Sequence, residues 1–200
     1  MSREELRRAT QSRVLAAADR LFTEQGFAVT TIRDIATEGG VSVGTVIAVG
    51  DKDALLVRVF DGLIAAHQHQ GSSAPAAPTP SETAADHAQQ ILALVDPFIQ
   101  LFTERAELAR AYAAILVRAR HSSTLFTQLA GELIDEIEQV LLRSGVRSAD
   151  DAAPAARSIY FAYVGVLFSW AARADAEPHE LPETLLPVFA AFFHTPEPSC

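Results

Sequence analysis

The sequence has a single cysteine, Cys200, among its 200 residues. An internal disulfide is thereby excluded, and a reducing cytoplasm is the expected compartment. Long apolar runs are missing too. None reaches the roughly 18 residues of a membrane span, and the longest near-apolar stretch, residues 159–172, has the length of a buried helix. The opening MSREELRRATQSR is charged and lacks the apolar segment of a secretory signal. No association with a membrane is expected. Alternation of the strand type is nearly absent. Lysine occurs once, as Lys52, against fifteen arginines. No glycine-rich phosphate loop, zinc-ligand spacing or nucleophile motif occurs, so neither an enzyme nor a cofactor or metal is expected. His67 and His69 would face different sides of a helix, and His179 with Glu183 lacks further ligands.

What is present is a globular composition, 49% apolar and 20% charged. The formal net charge of −9 speaks against a nucleic-acid binder at first sight. Its distribution softens that: residues 1–60 carry eight cationic and eight acidic side chains, so the whole excess lies in residues 61–200. A neutral N-terminal part can bind DNA if its cations share one face, but not by bulk electrostatics.

Helical periodicity dominates. Residues 3–25 place Leu6, Val14, Leu15, Ala18, Leu21 and Phe22 at helical spacing, and Gly26 stops the run. Thr31 with Asp34 predicts a capping box for a short helix, closed by Gly39-Gly40. Ser42 caps a second short helix to about residue 48, and Gly50 breaks it. Asp51 caps a longer helix that fades near residue 70. Residues 71–80, GSSAPAAPTP, form an expected flexible loop. Ser81 restarts a helix with a broad apolar stripe, which Pro97 should kink or split. Further helices are predicted over about 104–120, 123–142, 150–174 (Pro154 near its first turn) and 182–194, the last distorted at Pro187. The expected fold is all-α, with a helix-turn-helix head at residues 1–50 and a helical bundle at 51–200.

Residues 26–52, GFAVTTIRDIATEGGVSVGTVIAVGDK, form two short helices around a glycine-containing turn, the unit that places a helix in a DNA groove. Thr30, Thr31, Ser42 and Thr45 are hydroxyl donors near helix starts, where free N–H groups favour phosphate. Capping alone explains Thr31 and Ser42 equally well. Arg33 stands off the Ile32/Ile35 face and can reach phosphate or a guanine edge, or merely be solvated. Val43 and Gly44 open the second helix. Lys52 lies in the first turn of its helix, where a cation opposes the dipole, so a purely structural role is disfavoured there; Asp51 and Asp53 flank it.

The pattern Val14-Leu15, Ala17-Ala18, Leu21-Phe22, Gly26-Phe27, Thr30-Thr31-Ile32, Ile35-Ala36 resembles the first half of the TetR-family DNA-binding domain. Gly40-Val41-Ser42-x-Gly44-Thr45 resembles its turn and recognition helix, and Asp51-Lys52-x-x-Leu55-Leu56 the start of its fourth helix. The resemblance covers about the first 60 residues. It implies that Lys52 contacts the DNA backbone, that the last two long helices form a homodimer, and that the divergent remainder binds a small-molecule effector.

Residues 46–50 depart from that pattern. Ile47 stands where a tyrosine would donate a hydroxyl to phosphate, Val49 replaces a second aromatic, and the interval to Lys52 is one residue short. Between Ser42 and Gly50 there is no Arg, Lys, Asn, Gln or aromatic side chain. Ile47 can pack or touch a thymine methyl, but it cannot hydrogen-bond. Three readings stay open: specificity from Arg33, an N-terminal arm (Arg3, Arg7, Arg8) and DNA shape; tight binding only as a cooperative dimer; or loss of DNA binding.

In the C-terminal part, Ala162, Gly165, Ser169 and Ala172 make a small-residue side to a helix that also carries Tyr160, Phe161, Phe168 and Trp170. Phe98, Phe102, Tyr112, Leu116, Phe126 and Phe161 are candidate ligand-lining residues, though equally plain core. Asp96 is the exceptional charge in these stripes, so a mostly apolar effector is expected. The expectation is a ligand-responsive regulator, by family habit a repressor, whose partners are a double-stranded DNA operator, a small effector and a second copy of itself. The alternative is a helical ligand- or protein-binding module that no longer binds DNA specifically.

Overall fold

A helix starts at Arg3 because Ser2 and Glu5 form a reciprocal capping box. Arg3, Arg7 and Arg8 therefore lie on the first turns of a helix. They are not an extended arm, and Arg8 pairs with Glu4 one turn away. The computed structural model describes residues 2–71, 83–118, 123–145, 148–173 and 175–193, with the side chains of 67–71 excepted. The loop expected at 71–80 falls, from residue 72 onward, outside the described residues, as do Ser81 and His194. The side chains of His67 and His69 do too.

Among the described residues there are nine α-helices and no strand. They are α1 (Arg3–Glu24), α2 (Ile32–Glu38), α3 (Val43–Val49), α4 (Lys52–Gly71), α5 (Ala84–Glu104), α6 (Ala106–Val117), α7 (Thr124–Ser144), α8 (Ala149–Ala171) and α9 (Glu180–Ala190). A 3-10 turn, Ala191–Phe193, follows α9. The helix expected to run from 182 to 194 thus starts two residues earlier and tightens at its end.

Pro97 neither splits nor ends its helix, since α5 runs through it. Proline removes one backbone donor, but buried Ile91, Leu92 and Val95 precede it and buried Ile99 and Leu101 follow. Packing on both sides outweighs the lost bond. Pro154 lies in the second turn of α8 and is tolerated there as well.

The chain forms two compact units, and the division does not fall at residue 50. One unit comprises Met1–Ala66 and Phe102–Thr124, the other His67–Leu101 and Leu125–Cys200. The side-chain chemistry explains why α6 groups with the head. Arg105, just before α6, hydrogen-bonds Thr23 and approaches Asp19 on α1. Tyr112 on α6 stacks on Phe60 of α4, with ring centroids 4.5 Å apart. Phe102 meets the same Phe60 edge-on at 5.3 Å.

In the second unit, α8 and α9 pack together. The Trp170 indole N–H donates to the Glu177 carbonyl at 2.9 Å, and Arg173 grips Glu180 through two nitrogens. The core of this unit is aliphatic on α5 and α7 and aromatic on α8 and α9, where Tyr160, Tyr163, Trp170 and Phe189 are buried.

Phe60 is fully buried between two rings. Phe60→Ala should therefore cost about 3–5 kcal/mol of unfolding free energy. Urea denaturation measures this, and a loss below about 1 kcal/mol would show that the ring cluster does not hold α4 to α6.

Candidate nucleic-acid interface

The surface is built by the connector between α1 and α2. Gly26 has φ +89°, a conformation that glycine adopts readily and that turns the chain back after α1. A Cβ there would meet only the end of the exposed Glu107 side chain, at 2.9 Å, which can move aside, so the backbone conformation rather than space favours glycine. Thr30 then points inward. It is 1% exposed, and its hydroxyl donates to the Gly26 carbonyl at 2.8 Å. The surface hydroxyl expected at residue 30 is thus an interior one, because the connector has a backbone carbonyl to satisfy.

Thr31 and Asp34 form the predicted capping box. The Asp34 N–H donates to Thr31 Oγ1 at 3.2 Å, and the Asp34 carboxylate accepts from the Thr31 N–H and hydroxyl at 2.9 and 2.7 Å. These bonds hold the Asp34 carboxyl below the ordinary aspartate range, helped by the Arg33 charge. Ser42 caps α3: its oxygen accepts from the Thr45 N–H at 3.1 Å, and the two hydroxyls lie 2.8 Å apart in a hydrogen bond. The hydroxyls of Thr31, Ser42 and Thr45 therefore all have partners within the chain.

On α3, Val46 is fully buried and fastens the helix to the head. Ser42, Val43, Gly44, Ile47 and Ala48 are exposed. Val43 is 40% exposed and Ile47 60%. Arg33 on α2 is exposed as well, whereas Arg20 on α1 pairs with Glu38 on α2.

Lys52 is half-buried. Its ammonium donates to the Ala28 carbonyl at 3.0 Å and lies 4.5 Å from the centroid of the Phe27 ring. That ring in turn meets Phe22 edge-on at 5.2 Å. The cation that opposes the α4 dipole is thus held by a carbonyl and a π-face. Asp51 caps α4 by accepting from the Ala54 N–H at 2.8 Å.

The six candidate ligand-lining residues are divided between the two units. Phe102, Tyr112 and Leu116 belong to the first unit, Phe98, Phe126 and Phe161 to the second. Tyr112 is core, with its ring on Phe60 and its hydroxyl donating to Asp61 at 2.9 Å. Phe161 is 66% exposed on α8, so it lines no interior of the chain. Helical periodicity explains this, since Tyr160, Tyr163, Leu167 and Trp170 occupy the buried side.

Sequence patterns missed Asp61. It lies half-buried on α4 and accepts from Tyr112 and, at 2.8 Å, from Ser123. The only hint was a carboxylate directly after Phe60 in an apolar stripe. Desolvation pushes its carboxyl above the ordinary aspartate value, against the two hydrogen bonds. Among the described residues, no cluster of His, Cys, Asp and Glu could hold a metal ion. No helix among them is long and apolar enough to cross a membrane.

Asp61→Asn retains an oxygen for both donors. The wild-type carboxyl holds its proton more tightly folded than unfolded, so its ionisation destabilises the fold. The stability due to the protonated form is complete below the unfolded carboxyl range and lost as pH rises through the raised folded value. Between pH of about 3.5 and 7, the melting-temperature difference should therefore move in favour of Asp61→Asn. A difference that does not change with pH would contradict this.

Residues 14–59 match the family of bacterial regulatory proteins, tetR family. Solved structures share the fold over nearly the whole chain. A TetR transcriptional regulator from Rhodococcus sp. RHA1 is 21% identical, with 92% of this chain and 95% of that chain covered and a TM-score of 0.59. SmeT, the repressor of the Stenotrophomonas maltophilia multidrug efflux pump SmeDEF, is 19% identical, with coverages of 90% and 88% and a TM-score of 0.56. Thermus thermophilus FadR, a TetR-family transcriptional repressor in complex with lauroyl-CoA, is 25% identical, with coverages of 95% and 100% and a TM-score of 0.55. No curated protein sequence matches the chain.

Proposed function

We propose that the chain is a ligand-responsive repressor of the TetR type that binds its operator as a homodimer, a reading supported by the tetR-family match over residues 14–59 and by the fold it shares with solved TetR regulators. The observation that carries this is the head: a family-matched helix-turn-helix whose α3 is fastened by buried Val46 and leaves its outer face open. Each subunit places α3 in a major groove, with half-sites roughly 34–36 Å apart. Arg33 supplies a phosphate contact from exposed α2. Lys52 acts chiefly by holding the start of α4 to the connector through Ala28 and Phe27, and its remaining ammonium protons face the backbone of the DNA. Thr31, Ser42 and Thr45 set the helix ends that approach the backbone.

The effector is a small, mostly apolar molecule bound in the helical part. The aliphatic stripe of α5 supports this, as does the lauroyl-CoA bound by the Thermus thermophilus relative. Release of DNA then requires that the effector prefer the state unable to bind the operator. The homodimer forms through α8 and α9. Exposed Phe161, Gly165, Ser169 and Ala172 share the outer side of α8, and one large apolar ring on a small-residue stripe suits a two-fold helix pair. The second reading, a module that has lost specific DNA binding, is favoured by one observation, the lack of any hydrogen-bonding side chain on the exposed face of α3 after Ser42.

Fluorescence anisotropy with the DNA upstream of the protein's own gene, against random DNA over a range of salt, separates the two. The regulator should prefer its own DNA by about 10³-fold or more. Arg33→Ala should weaken binding to all sequences alike and lower the salt slope by about one. Equal affinity for both DNAs would leave only the second reading. Separately, Phe161→Glu should convert the dimer to monomers in sedimentation velocity without lowering helix content. An unchanged dimer would remove α8 from the interface.

A further inference from the structure

We propose that α3 reads thymine C5-methyl groups in the operator, with Ile47 and Val43 as the reading side chains. This rests on the regulator reading and specifies which bases it recognises. Val43, Gly44, Ile47 and Ala48 occupy one exposed face, two pairs spaced four residues apart. Val43 and Ile47 are the large side chains there, 40% and 60% exposed, although α3 buries Val46 completely. The hydroxyls at the start of the helix, Ser42 and Thr45, bond to each other. Beyond that hydroxyl pair, the exposed side chains of Val43, Ile47 and Ala48 offer a major groove only methyl and methylene groups.

The chemistry of the groove leaves one match. Guanine N7 and O6, adenine N7 and N6, cytosine N4 and thymine O4 are all hydrogen-bonding groups, and an aliphatic side chain set against one strips its water without replacing it. The thymine C5-methyl is the one apolar group displayed there. Both residues also stand in the first two turns of the helix, the part that reaches base edges in helix-turn-helix complexes.

Gly44 is an independent sign of close approach. A glycine inside a helix destabilises it relative to alanine. Nothing in the head demands one: a Cβ at residue 44 would meet only Ser42 Oγ, at an ordinary 3.7 Å, and the residue's φ is not in the left-handed range. The glycine instead lowers the outer face between Ser42 and Ile47, so that α3 can lie deeper against the bases.

The test starts from sites selected by the full-length protein out of random duplex DNA. Each thymine of the half-site is replaced in turn by deoxyuridine, which keeps the base pair and removes only the methyl. At one or two positions per half-site the affinity should fall roughly three- to fourfold per methyl, the equivalent of one buried methylene. Ile47→Ala should weaken binding to the thymine site by a similar factor and lose that effect on the matching deoxyuridine site. Melting temperature checks that this exposed variant is folded; the buried Val46→Ala should melt lower and serves as the contrast. If specific binding persists and no deoxyuridine substitution changes it, the methyl-reading role is overturned while the regulator reading stands. If the selected sites carry no thymine in common, the outcome is the same. If no sequence is selected over random DNA, both readings fall together.

Discussion

The head depends on how seven residues, 25–31, turn the chain from α1 into α2. Gly26 supplies the left-handed turn, Thr30 returns its hydroxyl to the Gly26 carbonyl, and Lys52 takes the Ala28 carbonyl from the other side. Phe27 lies between the Lys52 ammonium and the Phe22 ring, so charge, π-face and core are linked in one short path. Carbonyls that a tight connector would leave bare are thereby satisfied without a sheet or a longer loop. The consequence for function is positional. With α1 and α2 fixed, Val46 has a pocket to enter, and its burial decides which face of α3 looks outward.

The same physical economy explains why α6 is part of the head's unit. Arg105 reaches Thr23 and Asp19 on α1, Glu107 lies against Gly26, and Tyr112 is fitted between Phe60 and Asp61. A division at residue 50 follows the DNA-binding motif. The compact units follow side chains that meet across more than fifty residues of sequence. Asp61 is the most expensive member of this arrangement. Its half-buried carboxylate is tolerated because two hydroxyls donate to it, and its raised pKa records that the compensation is incomplete.

Local chemistry was legible in the sequence and tertiary chemistry was not. The caps at Thr31–Asp34, Ser42 and Asp51 and the stop at Gly26 involve residues within one turn of each other, so spacing reveals them. Thr30 looked like Thr31 because a hydroxyl beside a helix start serves a cap or a buried carbonyl equally well, and only the path of the connector decides. The sequence left open whether Pro97 would kink α5 or split it, since a missing hydrogen bond is weighed against packing that spacing alone does not measure; the helix runs through. On α8, apolar residues surround the helix, so periodicity could not tell that Phe161 faces outward while Tyr160 and Tyr163 face in. The departure at Val46–Gly50 was plain in the sequence. The structure adds that its large side chains divide between one anchor, Val46, and an exposed face led by Ile47.

This exposed aliphatic face of α3 is the surface proposed to meet DNA. The most direct measurement labels the isoleucine δ-methyl groups with carbon-13 and follows their NMR signals as the protein's own upstream DNA is added. Ile47 is exposed on α3 and Ile35 is fully buried on α2. The Ile47 methyl should shift strongly and gain contacts to base protons while the Ile35 methyl barely moves. An Ile47 signal unchanged on a protein saturated with DNA would contradict this.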